Sequence, residues 1–244
     1  MSDRRSSGHV AIVDYGMGNL YSVKHACDHV GLSARITSGR DELLGASAVI
    51  LPGVGAFGVA MESLRALDLV EPLRDIAASP TPFVGICLGM QLLMTESQEF
   101  GVHQGLGMIE GQVVRLKETP VKMRSVKVPQ VGWNRIRATS PGGDGGRAWQ
   151  GTLLERVADG EYMYFVHSFY CQPADVSATL SVTQYGTVEF ASTIQRGNIV
   201  GVQFHPERSG PQGLRIYRDL SAWIDRCHGE RQRAPETGSQ IRSA

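Results

Sequence analysis

Thr81-Pro82-Phe83-Val84-Gly85-Ile86-Cys87-Leu88-Gly89-Met90-Gln91-Leu92-Leu93-Met94 is an apolar strand that runs through a glycine-flanked cysteine into helix-forming sequence. A G-x-nucleophile-x-G turn needs glycine on both sides, because a sharply bent nucleophile brings neighbouring chain too close for side chains. The thiol of Cys87 then stands at the edge of a sheet and at a helix N-terminus, where unpaired N–H groups and the positive dipole end favour the reactive thiolate. The backbone N–H of Leu88 is one candidate donor to an oxyanion. Gln91 lies one helical turn past Cys87 on the same face, so its amide can reach a substrate held over the sulfur. Taken alone, the motif is an even bet between a reactive site and a buried cysteine in a strand-to-helix turn.

A thiolate needs a base to carry protons to the leaving group, and the base needs an acceptor to orient it. Gly201-Val202-Gln203-Phe204-His205-Pro206-Glu207 supplies both at the end of a second apolar run. Pro206 stiffens the link and favours an extended conformation at His205. The imidazole can face Cys87 while Glu207 holds its other nitrogen. His9, His25, His29, His103 and His228 have no comparable companions and are read as surface or packing residues. An isolated HPE is more often a surface turn; paired with the cysteine elbow, the odds reverse.

Outward from these two stretches, strands alternate with helices. His9 to Asp14 is a short apolar run ending in a turn-rich segment, followed by a helix from Leu20 to Val30. Ala34 to Thr37 is a strand, Asp41 to Leu44 a brief helix, Ala48 to Leu51 a strand, Met61 to Ala77 helical and Pro82 to Ile86 a strand. Such alternation predicts a mostly parallel sheet covered by helices on both faces. After Gly105 the texture turns strand-like: Met108 to Leu116, Tyr162 to Phe169, Ala178 to Thr183, Val188 to Ile194 and Ile199 to Phe204. This half reads as a mixed extension of the sheet. A last amphipathic helix fits Pro211 to Arg226, with Pro211 in its first turn. Beyond Cys227 the polar tail is expected not to order itself. The loop Ser140 to Gly146 is not a phosphate cradle, since no GK[ST] follows. We expect one α/β domain over residues 9–227, with flexible termini at 1–8 and 228–244.

The chain has 244 residues, with 24 lysines and arginines against 24 aspartates and glutamates. That balance gives no overall field to gather nucleic acid or an anionic membrane. Cys27, Cys87, Cys171 and Cys227 show no CxxC pair and no metal-ligand spacing, which points to a reducing, cytoplasmic setting and to no metal. No signal peptide or membrane span is legible.

The combination of GICLGMQ and VQFHPE resembles the class I (triad) glutamine amidotransferases, over nearly the whole chain from Val10 to Leu220. The resemblance implies a flavodoxin-like α/β fold extended by further strands, no cofactor, and a Cys87–His205–Glu207 triad acting on L-glutamine. Asp14-Tyr15-Gly16-Met17-Gly18-Asn19-Leu20 and Leu51-Pro52-Gly53-Val54-Gly55-Ala56-Phe57 narrow it further. They are similar to segments of the amidotransferase subunits of imidazole glycerol phosphate synthases, in histidine biosynthesis. The glycines of PGVG permit a peptide flip that would aim the N–H of Val54 at an oxyanion. Gly53, Val54, Gly55 and Leu88 are therefore candidates for the oxyanion site and its substrate contacts.

By the same resemblance, Gln91, Glu99, Ser168 and Phe169 line the glutamine pocket. Glu99 pairs with the α-ammonium, and Ser168 and Phe169 offer backbone groups to the α-carboxylate. His167 is equally a substrate contact or a strand-packing residue. Asn19, Trp133, Tyr164 and Arg208 lie toward a partner, although ordinary core or rim packing also accounts for the two aromatics. Three departures from the family pattern stand out: Gln130 for histidine, Val131 for methionine and Phe169 for tyrosine. Gln130 can hydrogen-bond but cannot titrate.

Ammonia released into neutral water becomes ammonium, which has no lone pair to attack an acceptor. A glutaminase that serves synthesis therefore needs a dry passage to its acceptor enzyme. The chain carries no P-loop and no dinucleotide fingerprint, so the acceptor chemistry lies elsewhere. The resemblance implies a TIM-barrel cyclase partner in a heterodimer, coupled to this subunit by allostery. Rival readings are a glutaminase feeding pyridoxal phosphate synthesis, a non-catalytic regulatory domain, and a cysteine peptidase or γ-glutamyl hydrolase. PGVGAF and DYGMGN argue against the first, and the intact triad against the second. The third predicts turnover of peptides or polyglutamates without a partner.

Overall fold

The computed structural model describes residues 8–117, 120–121, 124–139 and 149–233. Its elements are β1 (Val10–Val13), α1 (Leu20–His29), β2 (Ala34–Thr37), α2 (Arg40–Leu44), β3 (Ala48–Gly53), α3 (Phe57–Ala66), α4 (Val70–Ala78), β4 (Phe83–Cys87), α5 (Leu88–Leu92) and β5 (Met94–Ser97). There follow β6 (His103–Gln104), β7 (Ile109–Arg115), β8 (Pro120–Val121), β9 (Arg124–Ser125), β10 (Gln130–Arg135), β11 (Arg137–Ala138), β12 (Tyr162–His167) and β13 (Phe169–Pro173). The chain closes with β14 (Thr179–Tyr185), β15 (Val188–Arg196), β16 (Ile199–Val202) and α6 (Gly210–Arg233).

The central sheet has the order β11-β14-β15-β16-β4-β3-β1-β2. From β2 to β16 the pairings are parallel, and β15, β14 and β11 extend the sheet antiparallel. Alternation along the buried strands splits the core between two faces, as a doubly covered parallel sheet requires. Ala11, Val13, Val49 and Leu51 pack with α2, α3, α4 and α5. Val10, Ile12, Ala48, Ile50, Val84 and Ile86 pack on the other face with α1 and α6. This is the fold class expected from the alternating pattern.

Several boundaries differ from the sequence reading. The helix expected over Met61 to Ala77 begins earlier, at Phe57, and breaks after Ala66, where Asp68 takes a positive φ of 53°. That turn lets Leu69, 1 % exposed, enter the core between α3 and α4. The strand expected over Tyr162 to Phe169 divides at Ser168. β12 pairs with β10, whereas β13 joins a separate four-stranded sheet of order β13-β7-β5-β6. Alternation alone cannot tell one long strand from two that serve different sheets. The last helix continues past Cys227 to Arg233, because extending a helix already nucleated on the core needs no further burial. The Ser140 to Gly146 loop, the first seven residues and those after 233 lie outside the described residues.

Candidate active site

Three neighbouring parallel strands deliver the site at their carboxyl ends, where open α/β sheets form their crevices. β4 ends in Cys87, opposite Gly53 at the end of β3. On the other side, Val202 of β16 pairs with Ile86 and leads the chain to His205. PGVG, Cys87 and His205 thus arrive on adjacent strands.

The elbow has the strain that its sequence predicts. Cys87 has φ 54° and ψ −108°, a conformation a non-glycine residue rarely holds. A Cβ on Gly85 would sit 2.7 Å from the Gly89 carbonyl oxygen, and one on Gly89 would run into the backbone carbonyl of Leu51. Neither obstacle can swing aside. Gly89→Ala is therefore expected to destabilise the protein by about 3 kcal/mol or more, measurable as a lower midpoint in urea. The helix behind the thiol, α5, has five residues, so its dipole is smaller than a long helix would supply.

His205 is 4 % exposed. Its Nδ1 lies 2.8 Å from Glu207 Oε1, and its Nε2 is buried without a hydrogen bond of ordinary length. Burial by itself would lower its pKa. The negative charge of Cys87 and the Glu207 carboxylate outweigh that, raising it to about 10. An imidazolium at neutral pH, held between the Cys87 sulfur and the Glu207 carboxylate, is the form that can protonate a leaving amine. Its proton is lost as pH rises through about 10, which sets an alkaline limit on activity. In Glu207→Gln one of the two raising charges, the smaller, is gone, so that limit should move to lower pH, with kcat reduced roughly 10²–10⁴-fold. A pH–rate profile checks both.

The base is stitched to β12. The His205 N–H donates to the Tyr164 carbonyl at 2.9 Å, Ser209 Oγ donates to the His205 carbonyl at 2.7 Å, and the Tyr164 N–H donates to Ser209 Oγ at 3.0 Å. Ser209→Ala leaves the Tyr164 N–H without its partner, whereas the His205 carbonyl keeps the Arg208 N–H at 3.0 Å, at a cost of about 1–3 kcal/mol. We expect it to lower the thermal midpoint and kcat together.

A cavity of about 320 Å³ opens over the thiol, lined by Val54, Gly55, Cys87, Leu88, Gln91, Glu99, Pro129, Val166, His167, Ser168 and Phe169. Glu99 accepts from the Phe57 N–H at 2.6 Å. The expectation for Gln91 is refined: its Nε2 donates to the Phe169 carbonyl at 2.9 Å and to Gln203 Oε1 at 3.1 Å. That leaves its own carbonyl oxygen for a substrate. His167 does two jobs. It lines the cavity, and it packs on Phe165 and Phe190. Burial lowers its pKa to about 4, against the pull of the Phe169 carbonyl at its Nδ1. It is therefore neutral and carries its proton on Nδ1. A larger cleft of about 690 Å³ lies between β7 and β15, lined by Glu96, Glu110, Glu189 and Tyr170 among others. It holds no triad member, so the chemistry and not the volume selects the smaller cavity.

Gln203 went unnoticed in the sequence. It is fully buried, and its Nε2 lies 3.7 Å from the Cys87 sulfur. Its place two residues before His205, in an otherwise apolar run, was the available signal. The Val166 carbonyl, 3.8 Å from the same sulfur, is a second contact that no side-chain pattern reveals. Tyr15 donates to the Pro52 carbonyl at 2.9 Å and so ties DYGMGN to PGVG. The four cysteines are unbridged. Among the described residues no cluster of acidic, histidine or cysteine side chains is disposed to hold a metal, and no helix is long and apolar enough to cross a membrane.

The expected partner residues Trp133, Tyr164 and Arg208 form one cluster. Trp133 and Tyr164 meet edge to face at 6.0 Å, and the Arg208 guanidinium lies 4.7 Å over the Tyr164 ring. Trp133 is 55 % exposed, beside the 60 % exposed Val131. Asn19 is exposed at the start of α1.

The family described as glutamine amidotransferase class-I matches residues 11–221. The imidazole glycerol phosphate synthase subunit HisH 1 of Legionella pneumophila (strain Lens) is 42 % identical over 211 residues, covering 86 % of this chain and 97 % of that protein. The HisH subunit of Moorella thermoacetica is 43 % identical, covering 88 % and 95 %. The chain belongs to the HisH family of class I glutamine amidotransferases. As an amidotransferase it shares its fold with more distant solved structures. One, a glutamine amidotransferase crystal structure, superposes with a TM-score of 0.65 at 18 % identity, over 89 % of this chain and all of the other. PurLQS of Thermotoga maritima gives 0.66 at 16 % identity, over 89 % and 99 %. At such identities the likeness concerns the fold alone. The amidotransferase fold accounts for why PGVG, the elbow and HPE converge although they are far apart in sequence.

Proposed function

We propose that this amidotransferase is the glutaminase subunit of an imidazole glycerol phosphate synthase, in which Cys87, His205 and Glu207 hydrolyse L-glutamine and the ammonia passes to a cyclase subunit. The observation that carries the reading is the convergence of nucleophile, buried imidazole and orienting carboxylate beside a small polar-rimmed cavity, in a chain over 40 % identical to HisH subunits.

In this reading Cys87 Sγ attacks the γ-carboxamide carbon, and the N–H groups of Leu88 and, after a peptide flip, Val54 bind the oxyanion. His205 gives its proton to the departing nitrogen, the C–N bond breaks and ammonia leaves. A water then loses a proton to His205 and attacks the thioester, which releases glutamate and restores the thiolate. Glu207 keeps the imidazole oriented throughout. Glu99, with Gln91, Ser168 and Phe169, would hold the amino-acid end of the substrate.

A separate acceptor enzyme follows from the product, since free ammonia is protonated in neutral water. The exposed Trp133 and Arg208 and the half-buried Tyr164 have the aromatic and arginine character of an interface centre, and Tyr164 bonds directly to the His205 backbone. A TIM-barrel cyclase seated there, forming a heterodimer in the cytoplasm, could reach both the triad and PGVG. We read residues 9–227 as a single catalytic domain. The test is co-purification with the cyclase subunit followed by assay for imidazole glycerol phosphate with glutamine as nitrogen donor. Product formed from ammonium salts but not from glutamine would refute the proposal.

A further inference from the structure

We propose that Tyr217 is a positioning residue of the triad: its phenolic hydroxyl donates to Oε2 of Glu207, by a small tilt of the ring or through one bridging water. This rests on the glutaminase reading above.

The carboxylate is half satisfied without it. Glu207 Oε1 is taken by His205 Nδ1 at 2.8 Å, while Oε2 is buried and has no partner among the described residues. The Tyr217 hydroxyl is likewise buried and unpartnered, on a side chain 2 % exposed. Leaving either atom unpaired carries a desolvation cost, and leaving both unpaired near each other doubles it. One is an obligate acceptor and the other a donor.

The backbone brings them together. α6 lies so close on the turn at Pro206–Arg208 that a Cβ on Gly213 would run into the Pro206 carbonyl. Tyr217 follows Gly213 by one helical turn and so lies on the same face of α6. Burial first, and then the charges of Glu207 and Cys27, hold the phenol in the protonated form that donates. A second bond would stop the carboxylate from rotating about its bond to His205, as second partners do for orienting carboxylates elsewhere. The Tyr217 side chain, 2 % exposed, belongs to the core that also holds Phe204 and Leu220, so it has no solvent to turn into.

The experiment is a double-mutant cycle in the full chain with Tyr217→Phe, Glu207→Ala and the pair, read by thermal unfolding and by glutamine kinetics. Phenylalanine keeps the packing and removes only the hydroxyl. We expect Tyr217→Phe to lower kcat roughly threefold to thirtyfold with KM for glutamine unchanged, and to lower the midpoint of unfolding. In the Glu207→Ala background it should leave kcat unchanged and should not lower the midpoint. A Tyr217→Phe protein with wild-type kcat and an equal or higher midpoint would overturn the proposal. So would equal fractional losses in both backgrounds. If wild type released no ammonia from glutamine, the proposed reaction would fail, and the thermal cycle alone would still decide whether hydroxyl and carboxylate are coupled.

Discussion

Cys87→Ser is expected to reduce glutamine hydrolysis on the order of 10³-fold or more while leaving the fold intact. Serine has nearly the same size and can occupy the strained φ of 54°, so the backbone elbow need not relax. Its hydroxyl, however, does not ionise in this setting. Two of the surrounding groups suit an attacking sulfur anion, Gln203 Nε2 at 3.7 Å as a donor and the His205 imidazolium as a counter-charge, while the Val166 carbonyl at 3.8 Å accepts from the thiol. Removing that anion also removes the first of the charges that raise His205, so the acid that serves the leaving group is weakened together with the nucleophile. Ammonia release in a coupled assay, alongside thermal unfolding, separates loss of chemistry from loss of structure. A serine variant with near wild-type ammonia release would refute the nucleophile assignment.

The second large effect concerns the PGVG loop. Gly55 has φ 104°, where only glycine is comfortable, and a Cβ there would sit 2.6 Å from Met17 Cε. Val54 beside it is 44 % exposed, so this loop is held from one side by DYGMGN and left open on the other. An occupied cyclase that turns the Val54 N–H into the cavity would add one oxyanion donor, worth about 10²–10³ in kcat. Turnover by the complex should therefore rise by that factor when the acceptor ligand binds the cyclase. In Val54→Pro, which has no N–H to offer, the stimulation should disappear even though the subunits still bind. Steady-state glutaminase assays with and without cyclase and ligand measure it. Full stimulation of the proline variant would exclude the flip as the source of activation.

Much of this site is legible in the sequence because its parts are local. A strand entering a glycine-flanked turn and leaving as a helix must place Cys87 at a sheet edge, and His205 and Glu207 are bound to one another by a two-residue spacing. The parallel sheet follows from the alternation of strands and helices, and its two-faced core from continuous apolar strands such as Val10–Val13. What escapes the sequence depends on contacts between distant segments. The break at Asp68 is decided by Leu69 entering the core, not by helix propensity. The division at Ser168 is decided by which sheet has an edge to offer, since Phe169 pairs with Arg115 whereas His167 pairs with Gln130. Gln203 looks like one polar residue in an apolar strand until β16 sets it beside Cys87. The expectation that Gln91 offers its amide freely to a substrate could not include the Phe169 carbonyl, 78 positions away, that claims its nitrogen. The expected disorder after Cys227 rested on composition, which says nothing about a helix already anchored upstream.

Acylation of Cys87 by glutamine is the step on which the proposed reaction rests. The direct measurement is mass spectrometry of the protein, mixed with glutamine in the presence of cyclase and its nucleotide ligand, quenched in acid and digested. A glutamyl adduct confined to the peptide that carries Cys87, absent from Cys87→Ser and removed by hydroxylamine, is the result predicted. Glutamate production by the wild-type complex with no adduct on that peptide under conditions that trap thioesters, or an adduct on Cys27, Cys171 or Cys227 instead, would contradict the account.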